Sequence, residues 1–173
     1  MQEEVIFYIG DMKLLEEKQA SLMKESMIMS IKTADALQHI VEEIRHTCAF
    51  DFIKLALLKH KNESDQLPVI VSGNTSMRYL RIVVQTRMGL AGIVSKTGRP
   101  AFIYDAETEI NEEDRFRYPI IMAEGLKSLG ALPLLKDGEV IGVVLAGFRG
   151  PHQMTEGLIA SFKKEVYEKI TFE

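Results

Sequence analysis

Cysteine is almost missing from the chain: Cys48 is the single thiol in 173 residues. That rules out an intrachain disulfide or a Cys-cluster zinc site, and it fits a reducing compartment. Tryptophan is absent, and no block of Lys or Arg stands anywhere in the sequence. Nucleic acid is thus offered neither a stacking platform nor a phosphate-neutralising patch. Long apolar runs are also missing, since the stretch Val140 to Phe148 is far too short to span a bilayer. The start, Met1-Gln2-Glu3-Glu4, is acidic where a secretory signal would be basic, so the expectation is a cytoplasmic protein with no membrane partner. His39, His46, His60 and His152 show no ligand spacing, and no Ser or Cys stands in a nucleophile motif. Metal and hydrolytic chemistry are therefore not expected.

What is present is ordinary globular material. Apolar residues make up 46%, and 21 Lys and Arg against 25 Asp and Glu leave a net charge of −4. A chain of this length can bury roughly two thirds of its extended surface in one domain. Residues 1–33 form a distinct segment with no Gly or Pro after Gly10, a helix-prone composition. Tyr8, Leu15, Leu22 and Met29 fall seven apart, but the companion positions Gln19 and Ser26 are polar, so only one seam position is sustained. The segment reads either as a helix packed along its own domain or as a self-association helix.

Beyond it, Leu37, Ile40, Val41, Ile44 and Cys48 repeat at helical spacing, with Thr33 or Asp35 as cap, which places Cys48 in the core. Phe52 to about Lys59 reads as a strand, Asn62 to Gln66 as a turn, and Val69 to Val71 as a second strand stopped by Ser72-Gly73-Asn74. Tyr79, Leu80, Val83 and Val84 suggest a helix, and Leu90 to Lys96 a short one ended by Gly98 and Pro100. Ala101 to Tyr104 reads as a strand, Asp105 to Arg117 as a solvated acidic loop, and Pro119 to Leu126 as a helix opened by proline. Ser128 to Leu135 and Glu139 to Phe148 flank Asp137-Gly138, a strong hairpin signal, and Thr155 caps a last helix carrying Leu158, Ile159, Phe162, Val166 and Ile170. The order predicts an α+β fold, a central antiparallel sheet with helices on its faces and an extra N-terminal helix.

The segment Met88-Gly89-Leu90-Ala91-Gly92-Ile93-Val94 through Arg99-Pro100, followed by Ser128-Leu129-Gly130-Ala131-Leu132-Pro133-Leu134 and Gly138-Glu139-Val140-Ile141-Gly142-Val143-Val144, resembles a GAF domain. The resemblance covers about residues 34 to 170, giving a division into an N-terminal extension, 1–33, and a GAF domain, 34–173. It implies a sheet with a small-molecule pocket on one face. Arg117-Tyr118-Pro119-Ile120-Ile121-Met122-Ala123-Glu124, beside Gly89-Leu90-Ala91-Gly92, is similar to the nitrate-receptor branch of that family. That likeness implies nitrate sensing, with the anion held largely by main-chain groups and neighbouring side chains at Leu90, Ala91, Tyr118, Pro119 and Ile120. It also implies a partner, an oxygen-responsive sensor histidine kinase of a two-component system controlling nitrate respiration. These receptors carry a pocket Trp near the positions Pro68 to Val71, so here that contact must be lost or replaced, with Tyr79, Phe102, Tyr104 and Phe116 near in sequence.

The residues themselves carry a related reading. Helix starts at Gly89-Leu90-Ala91-Gly92 and at Tyr118-Pro119-Ile120-Ile121 expose unpaired amides, each favouring an anion by roughly 0.3 to 2 kcal/mol. If they converge, they form an anion pocket without Arg or Lys, walled by Leu90, Ile120 and Ile121, suited to a small, weakly hydrated monoanion. The bland alternative is a tight turn and an ordinary helix start. Other readings compete: a GAF dimerisation module with another ligand or none, and a free methionine sulfoxide reductase. The latter needs a reactive thiolate and normally a resolving cysteine. No bilin, haem or cyclic-nucleotide signature is present, so no cofactor and no enzymatic activity are expected.

Overall fold

The computed structural model describes residues 14, 16–21, 34–58, 69–78 and 88–171. The chain divides into two compact units, Met1–Ala36 and Leu37–Glu173. In the first, every described residue is helical. The rest of the N-terminal segment, the turn at Asn62 to Gln66 and the helix expected around Tyr79 to Val84 lie outside the described residues. Among the described residues no helix is long and apolar enough to cross a membrane.

The second unit is built on one five-stranded sheet. Helical residues 37–47 (α1) lead into β1 (Phe52–Leu57) and β2 (Val69–Ser72). After α2 (Gly89–Thr97) come β3 (Ala101–Ile103), α3 (Ala106–Glu109), a 3-10 turn (Glu112–Arg117) and α4 (Pro119–Glu124). The hairpin β4 (Ser128–Lys136) and β5 (Glu139–Phe148) precedes the closing helix α5 (Glu156–Lys169). The strand order is β2-β1-β5-β4-β3, and every pairing is antiparallel. This is the expected α+β architecture.

Local chemistry explains the elements. Asp137 and Gly138 both take positive φ, 52° and 80°, the backbone of a tight hairpin turn whose twist matches its strands. The Thr155 hydroxyl accepts from the Leu158 N–H at 3.3 Å and caps α5. The acidic connection departs from the solvated loop expected from its polarity. The Asp105 carboxylate accepts from the Glu107 N–H at 3.1 Å and caps α3, and Ala106 and Ile110 are buried beneath it. Capping and two inward apolar side chains outweigh the polar composition.

Because side chains alternate along a strand, β1 serves two cores. Ile53 and Leu55 face a cluster with α1 and α5, including Val41, Ile44, Phe148, Phe162 and Val166. Phe52 faces the other side, joining Leu90, Val94, Ile120, Leu129, Ala131, Val143 and Leu145 beneath α2, α3 and α4. Cys48 lies in the first cluster as its helical stripe predicted. Phe50 packs tilted on Phe148 at 5.2 Å and edge-on to Phe162 at 4.9 Å between ring centroids. Phe50→Ala should destabilise the protein by about 3 to 5 kcal/mol in urea unfolding, and a loss below about 1 kcal/mol would show that this ring cluster does not organise the α1/α5 face.

Candidate functional site

The second cluster contains the segments that the sequence singles out. Met88 is extended and makes no side-chain cap, so α2 opens with backbone donors that no side chain of Met88 satisfies. Gly89 takes φ 67°, and a β-carbon there would stand 3.2 Å from the Arg117 carbonyl oxygen. The start of α2 therefore meets the residue just before Tyr118. Leu90 and Ile120 share the cluster, with Ala91 and Tyr118 packed against it, while Pro119 is half-buried at the first position of α4. Four of the five expected residues are thus assembled in one core, and the fifth sits at its margin.

The donors are not equivalent. Leu90 and Ala91 lie in the first turn of α2, where no intrahelical carbonyl reaches their N–H groups. The Tyr118 N–H instead donates to the Arg115 carbonyl at 3.0 Å, and Pro119 has no N–H. Helix α4 is only six residues long, ended by Gly125 at φ 64°, so its dipole is slight. Most of the available main-chain donation comes from α2.

A network fixes α4 against the sheet. The Glu124 carboxylate, fully buried, accepts through Oε2 from the Thr75 N–H and hydroxyl and from Arg149, each at 2.9 Å. Arg149 also donates to the carbonyls of Glu124 at 2.9 Å and Gly73 at 3.0 Å, and its own N–H reaches Asp51 Oδ2 at 2.8 Å. The ends of β2 and β5 and the start of β1 are thereby tied to the C-terminus of α4. Glu124 Oε1 has no partner among the described residues. On the outer side of α4, a cavity of about 150 Å³ lies between α3, the 3-10 turn and α4, lined by Ala106, Ile110, Tyr118, Ile121 and Leu126 among others. Its rim carries Lys127, paired with Glu107 at 3.3 Å.

The sheet face that carries Phe52 also holds a cation. Lys54 alternates with Ile53 and Leu55 and so points to the same face as Phe52, opposite Val71 of β2 and Leu145 of β5. It is only 5% exposed, and burial pushes its pKa below the usual lysine value. Sequence reasoning missed it because a single Lys in Phe-Ile-Lys-Leu-Ala-Leu disturbs neither strand length nor turn signals; its even-numbered register with Phe52 was the available clue. Glu124 and Arg149 were also missed, their pairing being a long-range event with no local pattern.

Three of the aromatic residues near in sequence to the absent Trp can be placed. Phe102 packs against the α1/α5 cluster, on the other face, with its ring against Gly130. Tyr104 and Phe116 are 45% and 66% exposed. None of the three lies in the Leu90 cluster, and Tyr79 lies outside the described residues. Cys48 is buried, and burial, then the nearby Glu165 charge, push its thiol pKa up, with Lys169 opposing. The thiolate is disfavoured. His39, His46 and His152 are exposed, and among the described residues no His, Cys, Asp and Glu cluster could hold a metal ion.

The GAF domain model matches residues 33–162. Among solved structures, an NreA protein of Staphylococcus aureus mutated in its nitrate-binding site is 31% identical, with a TM-score of 0.64, covering 71% of this chain and 91% of that one. A second mutated NreA structure from the same organism is 30% identical, with a TM-score of 0.60, covering 67% and 88%. A free methionine-R-sulfoxide reductase of Thermoplasma acidophilum shares the fold at 14% identity and a TM-score of 0.59, covering 82% and 97%. No curated protein matches the chain.

Two outcomes test this geometry. Gly89→Ala places a side chain at positive φ against the Arg117 carbonyl and should cost about 1 to 2 kcal/mol in chemical denaturation; a neutral result would contradict the left-handed start of α2. Lys54 holds its proton in the unfolded chain up to about pH 10.4 but releases it earlier when folded. Between the folded and unfolded values the unfolded chain binds more protons, so stability should rise with pH across that window, on the approach to the unfolded value. Subtracting the profile of Lys54→Met isolates this rise, and identical profiles would remove the buried ammonium from the account.

Proposed function

The chain belongs to the GAF domain family, and we propose that it is a cytoplasmic, non-enzymatic receptor that binds nitrate, or a similar small monoanion, at the start of α2. The carrying observation is the meeting of Gly89 with the Arg117 carbonyl, which sets Leu90 and Ala91 beside Tyr118 and Ile120 in one core. The reading is supported by the similarity of the chain to NreA proteins, whose structures name a nitrate-binding site. Free N–H groups at a helix start favour an anion, and apolar walls from Leu90 and Ile120 remove competing water. Charge-assisted hydrogen bonds of about 1.5 to 3 kcal/mol each, less the desolvation of the anion, set dissociation constants between about millimolar and micromolar. That range suits reversible sensing.

The signal passes to a sensor histidine kinase. A ligand acts on such a partner only through different affinities for two states of the receptor. The exposed Phe116 and Met122, on either side of Tyr118 to Ile120, offer an apolar face beside the site. A thiol-reductase reading is disfavoured by the buried Cys48, whose thiol pKa is raised.

The test is the melting temperature of the full chain across nitrate, nitrite, chloride, iodide, phosphate and cyclic nucleotides at constant ionic strength. Binding to the native state alone stabilises it by about 2.7 kcal/mol at a hundredfold excess over Kd. A selective, saturable rise with nitrate is expected. An equal response to all salts, or none, would overturn the receptor assignment.

A further inference from the structure

We propose that Lys54 is the counter-charge of the bound anion, which sits on the sheet face between the Lys54 ammonium and the first N–H groups of α2. This rests on the assignment of an anion site to the start of α2 and adds a side chain that the main-chain picture lacks.

Lys54 occupies the middle of β1, hydrogen-bonded in the sheet between β2 and β5, with Val71 and Leu145 as its register neighbours. Both neighbours lie in or against the cluster that contains Leu90. Phe52, two residues earlier on the same face, is a member of that cluster. Leu90, in the first turn of α2, belongs to the same cluster, and α4, whose preceding residue Arg117 meets Gly89, is tied by Glu124 to Arg149 just beyond β5 and to Thr75 just beyond β2. Lys54 and the first turn of α2 therefore border the same cluster on one face of the sheet.

Among the described residues no hydrogen bond or ion pair engages the Lys54 ammonium, and burial alone accounts for its lowered pKa. The buried carboxylate Glu124 is already paired with Arg149. A buried, unpaired cation is costly, and the positive end of α2 adds to that cost rather than relieving it. One monoanion resolves both: it accepts from the ammonium and from the amides, and it brings the compartment's charge to zero. Sulfate or divalent phosphate would leave an uncompensated negative charge in the same place. The ligand class is thus a singly charged, weakly hydrated anion, and Lys54 is the residue that selects for charge.

The experiment compares the full-length wild type, Lys54→Met and Lys54→Arg, titrating sodium nitrate, iodide and sulfate at constant ionic strength with melting temperature and calorimetry as readouts. Without ligand, Lys54→Met should melt higher than wild type, since it removes the buried charge. Its affinity for nitrate should fall about 10- to 100-fold, while Lys54→Arg keeps part of it. If wild type and Lys54→Met bind nitrate equally, the counter-charge role is overturned and the nitrate receptor stands. If wild type ignores nitrate but binds iodide in a Lys54-dependent way, the nitrate assignment fails and the role of Lys54 stands. If no anion stabilises the wild type, both fall.

Discussion

The constraint on which the rest depends is that the central strand pair, β1 and β5, is covered on both faces. No side chain of β1 can avoid a core, so the two-residue alternation divides the protein into a side packed on α1 and α5 and a side packed on α2, α3 and α4. Ile53, Leu55, Val144 and Ala146 seat α1 and α5 and enclose the Phe50, Phe148 and Phe162 rings. Phe52, Val143 and Leu145 face α2, α3 and α4. A one-residue slip in the β1–β5 register would exchange the two sets and carry Lys54 into the closely packed aromatic side.

The two sides are organised by different physics. The α1/α5 side is chiefly apolar, with Cys48 as a small hydrophobe whose thiol is pushed toward the neutral form, and polar contacts sit at its margin, Lys169 on Glu43 at 2.9 Å and Arg45 on the Ser72 hydroxyl at 2.7 Å. The other side mixes apolar walls with polar groups that, among the described residues, are bound only in part: the first-turn amides of α2, which no side chain of Met88 caps, the Lys54 ammonium, and Glu124 with one satisfied and one unsatisfied oxygen. The Glu124–Arg149 pair joins α4 to the ends of β2 and β5. Incomplete satisfaction of buried polar groups costs stability, and it concentrates where a ligand can supply the missing partner.

The fold was largely legible in the residue pattern, because strand length, helical stripes and turn chemistry are local. Asp137-Gly138 set the hairpin, and the stripes from Leu37 to Cys48 and from Leu158 to Ile170 set the α1 and α5 faces. The acidic stretch after Tyr104 was less legible: composition suggested a loop, yet the Asp105 cap and the inward Ala106 and Ile110 make a short helix there. Of the site, the small-residue start of α2 and the Tyr118-Pro119 step were visible, but their hydrogen-bond states were not. The Tyr118 amide is spent on the Arg115 carbonyl, which no spacing rule reveals.

By itself, the sequence determined which residues alternate, which helices carry one apolar stripe, and where the chain must turn, because these follow from backbone periodicity and from residues with restricted dihedrals. Tertiary structure alone decided which face each alternation meets. Pairing of β1 with β5 placed Lys54 beside Leu145 rather than in solvent, and the approach of Gly89 to Arg117 joined segments far apart in the chain. A charge on a strand is an edge residue or a buried one according to which strand lies beside it, and that neighbour is chosen by the packing of the whole sheet.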